Sequence, residues 1–355
     1  MRVVVREDPR GALPLMEQVL RSTGDLATEY PLVFREGAQG QAVVAEEDGE
    51  ILSGCALLTR RLVVGEECLD VGMIGSVATA AAQRGRGLAS SVLERAEAEL
   101  TARGCLFALL WADSPEFYTA RGYQEVGAEV DVGLQAALAA SLPSTEGVRP
   151  AGPGDFPAMH ELYRAHAQRV ERGAAESAAL FETPGMRVVV RTRGDEVLAY
   201  ACRGRGGDLS NVVHEWAGGT EDVLACLRSL LEEAGPEGLY LMAPWGEQPV
   251  LTALLERGAP AATGVLGMGK LLDPSRAAAL LASHAESELE LTVDSQGSCR
   301  FARGPRGATL DEGQLLQALV PAHGRPDVLM DLSRRLAVSF VGLPLAPFAW
   351  GLDSI

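Results

Sequence analysis

The chain has 355 residues, more than one hydrophobic core usually supports, so two or three domains are expected. Hydrophobic residues make up 47% and charged residues 22%, a balance that excludes disordered and fibrous classes and points to a soluble globular protein. A net charge of -17 excludes a broad phosphate-neutralising face, so no nucleic-acid partner is expected.

The first predicted strand is Val3-Val4-Val5, followed by a helix carrying Leu13, Met16, Val19 and Leu20. Ala42 to Glu46 and Ile51 to Val64 read as paired strands around the turn Asp48-Gly49, and Asp70 to Thr79 as a further strand. Leu88, Val92, Ala96 and Leu100 recur on one helical face, and Gly104 stops that helix. Leu106 to Trp111 is a continuous apolar run suited to a central strand, and a short helix then ends at Arg121-Gly122. The Pro-, Gly- and Ser-rich stretch from Ser141 to Gly154 marks a boundary. Beyond it the pattern restarts with Val148-Arg149, a helix bearing Met159, Leu162 and Tyr163, and a later short helix ending at Arg257-Gly258. This reads as a divergent duplication.

A second boundary falls near Asp273-Pro274. After it come a helix, strands over Leu289–Val293 and Cys299–Ala302, a helix from about Leu310 to Ala318, and an apolar end. The fold class is therefore mixed α/β, an α+β mixed sheet, in three domains at 1–145, 146–273 and 274–355. The six cysteines are scattered without a Cys-x-x-Cys pair, and His160 and His166 have the wrong spacing for a helical ligand pair, so no metal is expected. Leu336 to Trp350 is shorter than the ~20 residues a membrane helix needs and is broken by Pro344 and Pro347. No membrane partner is expected. With no signal-peptide core in Met1 to Arg10, a cytoplasmic location is.

The segment that carries chemistry is Arg84-Gly85-Arg86-Gly87-Leu88-Ala89, between the strand ending at Thr79 and the long helix. A glycine turn leading into a helix aims several N–H groups and about half a positive charge at one point, where a diphosphate can sit. It is neither the P-loop nor the dinucleotide pattern, because no Gly-Lys-Ser/Thr and no Gly-x-Gly-x-x-Gly is present there.

This stretch resembles the R/Q-x-x-G-x-G/A pyrophosphate loop of the Gcn5-related N-acetyltransferases (GNAT). Phe117-Tyr118-Thr119-Ala120-Arg121-Gly122-Tyr123 is similar to that family's second signature, one helix and one strand further on. The resemblance covers roughly Asp70 to Gly127. It implies tandem GNAT folds, the second degenerate, and an acetyl-CoA co-substrate lying in a wedge between Asp70–Thr79 and Leu106–Trp111. Backbone groups of Val77, Ala78 and Thr79 would hold the pantetheine, with the Val77 N–H polarising the thioester carbonyl. Arg84 to Ala89 would hold the diphosphate, and Asp113 and Ser114 would touch the cofactor. An amine would attack the thioester directly, and Tyr118 stands at the family's general-acid position; the plainer reading of Tyr118 is a core aromatic. Asp25 and Glu29 lie where the family shapes its acceptor pocket, and solvated helix-end charges explain them equally.

In the second unit the corresponding place holds Glu221 and Asp222 at a helix start, which would repel a diphosphate. His214 and Glu215 are strand neighbours that point to opposite faces, which argues against a catalytic pair. The order of domains resembles the enhanced-intracellular-survival type of aminoglycoside acetyltransferases. That resemblance implies a sterol-carrier-protein-like third domain and a C-terminal α-carboxylate, here on Ile355, acting as the base. Core or an oligomer interface is the alternative for this apolar tail. The expected activity is transfer of acetyl from acetyl-CoA to a primary amine on a small molecule or peptide, in a chain that can form a homo-oligomer. The alternatives are a non-catalytic acyl-CoA-binding regulatory protein and an interaction scaffold built on the two rear domains.

Overall fold

In the computed structural model, which describes residues 1–21, 25–294 and 297–355, the N-terminal valine run forms β1 (Arg2–Arg6). Pro14 opens α1 (Leu13–Leu20), and two single turns, α2 (Leu26–Glu29) and α3 (Pro31–Phe34), lead on to β2 (Gln41–Glu47). Asp48 and Gly49 both take positive φ, 52° and 86°, the geometry that folds β2 tightly onto β3 (Glu50–Val64). A second turn gives β4 (Glu67–Thr79). Helix α4 (Leu88–Ala102) buries Leu88, Val92, Leu93, Ala96 and Leu100 along one stripe. β5 (Phe107–Leu110), α5 (Pro115–Thr119), β6 (Gln124–Val126) and β7 (Glu129–Leu134) follow.

The second unit repeats this order. It contains β8 (Val148–Pro150), α6 (Phe156–Arg164), β9 (Gln168–Val170), α7 (Ala174–Phe181), β10 (Arg187–Arg193), β11 (Glu196–Arg205) and β12 (Asp208–Gly218). It continues with α8 (Thr220–Ala234), β13 (Leu239–Pro244), α9 (Pro249–Glu256), β14 (Ala261–Gly264) and β15 (Gly267–Leu271).

Apart from β9, which pairs with β3 as an eighth strand of the first sheet, the two sheets match strand for strand. The first runs β1-β2-β3-β4-β5-β15-β6, and the second runs β8-β10-β11-β12-β13-β7-β14 in the same sense. Each is antiparallel except for one central parallel pair, β4 with β5 and β12 with β13. The strand beside that pair is exchanged: β15, from the end of the second unit, lies between β5 and β6. In return β7 lies between β13 and β14. The sequence reading kept residues 129–134 with the first unit; the fold hands them to the second sheet.

The third unit holds α10 (Pro274–Ser283), the antiparallel sheet β16 (Glu290–Val293), β17 (Cys299–Arg303) and β18 (Arg306–Leu310), then α11 (Glu312–Leu319) and α12 (Asp327–Leu336). Leu310, expected to start a helix, ends β18 instead, and Asp311 caps α11 by accepting from the Gln314 N–H at 2.8 Å. Gln317 Nε2 donates to the Glu125 carbonyl at 2.7 Å, tying α11 to the first sheet. After α12 the chain leaves as an irregular tail whose Phe348, Trp350 and Leu352 are buried. Among the described residues no helix is long and apolar enough to cross a membrane.

Candidate active site

Strands β4 and β5 pair only from Val71–Phe107 to Met73–Leu109, and β4 runs on to Thr79 with no ladder bond to its neighbour. A bulge drives them apart. Pairing of β3 with β4 jumps from Ala56–Gly75 to Gly54–Ala78, and Ser76 takes a left-handed φ of 51°. The wedge opens into a cavity of about 820 Å³, whose walls include Val77, Thr79, Trp111 and Tyr118.

One wall is the start of α4. Gly85 and Gly87 have φ of 79° and 76°, backbone that a side-chain-bearing residue adopts only at a cost. Gly87 is the N-cap and supplies no capping side chain. The first N–H groups of the helix, on Leu88, Ala89 and Ser90, have no intrahelical acceptor and face the cavity with the positive end of the helix dipole. Arg84 is exposed there and has no partner among the described residues. Arg121 enters from the turn after α5, its guanidinium donating to Ser90 Oγ at 3.0 Å and stacking 3.7 Å over the Phe117 ring. Size, uncapped amides and unpaired cations fit the diphosphate and pantetheine of an acyl-CoA.

Tyr118 packs edge-on against Phe117 and Tyr123, with centroids 5.0 and 5.8 Å away. Its hydroxyl has no hydrogen-bond partner among the described residues. Burial pushes the phenol up to about 12, with the nearby Cys55 and Asp113 adding to the rise and Arg121 opposing it. The phenol is thus a protonated donor at neutral pH. Cys55 is likewise pushed up to about 12 by complete burial and stays a neutral thiol.

Ile355 lines the same cavity. Its backbone carbonyl group lies against Gly75, where a Cβ would collide with the Ile355 carbon and oxygen. The tail is held by buried charge. Arg205 donates to the carbonyls of Gly351 at 2.6 Å and Ser354 at 2.9 Å, and stacks 4.1 Å over Tyr30. Asp353 accepts from the Tyr163 hydroxyl at 2.8 Å and lies 3.6 Å from Arg172, which also donates to Glu215 at 2.7 Å.

The cavity thus gathers Val77, Thr79, Arg84, Gly85, Gly87, Leu88, Ala89, Asp113, Ser114, Tyr118 and Ile355 from the sequence-derived set. Ala78 and Arg86 do not line it. Ala78 points to the opposite face of β4, among Ala12, Met16 and Leu58, and Arg86 turns back to Gln83 and Glu47. Two assignments need correction. Glu29, expected to bind an amine, is buried and paired with Arg21 at 2.9 Å, and Asp25 caps α2 by accepting from the Ala27 N–H at 2.9 Å. Neither side chain lines the cavity. Sequence reasoning passed over Gly75, Ser90 and Arg121 as site residues; Arg121 stood inside the aromatic signature, one turn after Phe117, and that spacing was the available signal. His214 and Glu215 do not meet as a pair: His214 bonds the Gly204 carbonyl, and Glu215 takes Tyr200 and Arg172. Among the described residues no three His, Cys, Asp or Glu side chains are grouped to hold a metal ion.

Residues 4–126 match the family model described as an acetyltransferase (GNAT) domain. This part of the chain is a GNAT domain. The whole chain is similar in fold to a solved GCN5-related N-acetyltransferase from Kribbella flavida, at 17% identity and a TM-score of 0.64, with 100% of both chains covered. A GCN5-related N-acetyltransferase from Anabaena variabilis gives 13% identity and a TM-score of 0.64, again over 100% of both chains. Eis1 from Mycobacterium abscessus gives 17% identity and a TM-score of 0.59, covering 99% of this chain and 98% of that one. No curated protein matches the chain. At these identities the likeness to solved structures is one of fold, and it extends through the GNAT domain, the second sheet and the third unit alike.

Proposed function

We propose that the GNAT domain transfers an acetyl group from acetyl-CoA to a primary amine by direct attack, with Tyr118 as general acid and the Ile355 carboxylate as general base. The observation that carries this reading is the convergence, in one cavity, of the uncapped α4 N-terminus, the unpartnered Tyr118 hydroxyl and the terminal carboxylate. Acetyl-CoA supplies the acyl thioester. Gly85, Gly87 and the first amides of α4 bind and orient the diphosphate, with Arg84 and Arg121 adding positive charge. The β4 bulge leaves the backbone near Val77 without a strand partner, available to hold the pantetheine arm and to polarise the thioester carbonyl.

The Ile355 carboxylate takes the proton the attacking amine must lose. The Tyr118 phenol gives one to the departing thiolate. A phenol held at about 12 keeps its proton across the neutral range and has it to give when the thiolate forms. The working site belongs to the first unit, 1–145, with β15 and the tail lent by 146–273 and 274–355. The acceptor is a primary amine on a small molecule or peptide.

The test is acetyl-CoA consumption across aminoglycosides, polyamines, arylamines and peptide N-termini. Turnover with at least one class is expected. Tight CoA binding with no turnover across the panel would leave a non-catalytic acyl-CoA-binding protein as the correct account.

A further inference from the structure

The second unit repeats the wedge of the first. β12 and β13 pair in parallel only at Val212–Tyr240 and Val213–Leu241, and both strands run on beyond that point. A bulge again accompanies the parting, because pairing with β11 passes from Arg203–Val213 to Cys202–Glu215 and leaves His214 unmatched. The loop that follows cannot serve a diphosphate, since the first turn of α8 carries Glu221 and Asp222.

The chain's own tail runs along this opening. Gln168 Nε2 donates to the carbonyls of Trp245, just past β13, and Ala346. Trp350, fully buried, stacks 4.4 Å from the His166 ring and packs edge-on against Trp216, which donates across the gap to the Met242 carbonyl at 3.1 Å. At the bulge the Gly351 N–H donates to the His214 carbonyl at 3.2 Å, and a Cβ on Gly351 would strike the His214 side chain. Arg205 then binds the Gly351 and Ser354 carbonyls, and Ser354 leads directly to Ile355 in the first cavity.

We propose that the second unit is a peptide-binding site whose ligand is the chain's own segment Phe348–Ile355, seated where the first unit would seat the thiol arm of acyl-CoA. Arg205 is its positioning residue: it touches no reacting atom but fixes how far the terminal carboxylate reaches. The binding half of this inference stands by itself; the use of the carboxylate as a base rests on the function proposed above. A duplicated cofactor cleft has thus become a receptor for a strand-like peptide, keeping the parted strands and bulge while losing the phosphate loop.

Two experiments test it. In a chain ending at Pro347, a synthetic peptide of the sequence Phe348–Ile355 should bind saturably by calorimetry, both as free acid and as C-terminal amide, and only the free acid should restore turnover. Saturable binding with equal rescue by the amide would uphold the receptor and overturn the carboxylate base. No binding to a cooperatively folded truncated chain would overturn the receptor. In the full chain, release of Ile355 by a carboxypeptidase, followed by intact mass, should be about tenfold or more faster in Arg205→Met than in the wild type, with Arg205→Lys between them. Equal release rates would overturn the positioning role whether or not the truncated chain folds.

Discussion

Tyr118 is the residue on which the chemistry turns, and its surroundings make specific demands. With burial raising its pKa to about 12, the phenol keeps its proton at every pH below that and loses it only as pH climbs through that value. The kcat should therefore show no falling limb from this group between about pH 7 and about pH 10, and a fall in that window would contradict its role as acid. Tyr118→Phe removes the proton and little volume. It is expected to lower kcat about 10²-fold while acetyl-CoA affinity by calorimetry stays close to wild type. Arg172 makes a second prediction at this scale. Its side chain and that of Glu215 are both fully buried, and Asp353 is a further partner, so Arg172→Met strands two carboxylates in the interior. Urea unfolding should report a loss of about 3–5 kcal/mol, and a change below about 1 kcal/mol would mean that the pair is not balanced as described.

At the scale of elements, the junction of β4 and α4 was readable because its signals are local. The glycines stand where positive φ is needed, the apolar stripe of α4 begins at Leu88, and the aromatic signature lies one strand and one helix further on. Gly87→Glu places bulk, left-handed strain and negative charge where a diphosphate would sit. It should abolish acetyl-CoA binding, whereas Gly87→Ala should cost only the strain, about 1–3 kcal/mol, in thermal unfolding. Retained wild-type affinity in Gly87→Glu would move the cofactor away from this loop. Other features were not legible for equally physical reasons. Glu29 reads as a helix-end carboxylate until the Gly207 N–H, 178 residues away, is found beside it together with Arg21. β18 was missed because it opens on exposed Arg306 and Gly307 and buries only Ala308 and Leu310. The tail was legible as apolar, but only Arg205, Tyr163 and Trp216, each more than a hundred residues away, decide where it runs.

The whole molecule is linked more tightly than three consecutive domains would be. The duplication was visible as a repeated order of elements, yet the reciprocal exchange of β7 and β15 was not, because each follows a short strand and nothing local in its few residues names the sheet it joins. One consequence can be measured. A fragment of residues 1–145 lacks β15, which pairs with both β5 and β6, and leaves β7 without its neighbours β13 and β14. It should show no cooperative thermal transition, unlike the full chain; a fragment melting as sharply and as high as the full chain would refute the structural dependence. The exchange also fixes the tail's geometry, since the sheet that grips Trp350 and the sheet that receives Ile355 are joined by two strands rather than a flexible linker.

The most direct test of the account is a crystal structure of the full chain with coenzyme A. The account predicts the diphosphate on the amides from Gly85 to Ala89, the pantetheine arm beside Val77 between β4 and β5, and the sulfur within reach of the Tyr118 hydroxyl and the Ile355 carboxylate. Coenzyme A bound elsewhere, or in the second cleft with the tail displaced, would contradict it.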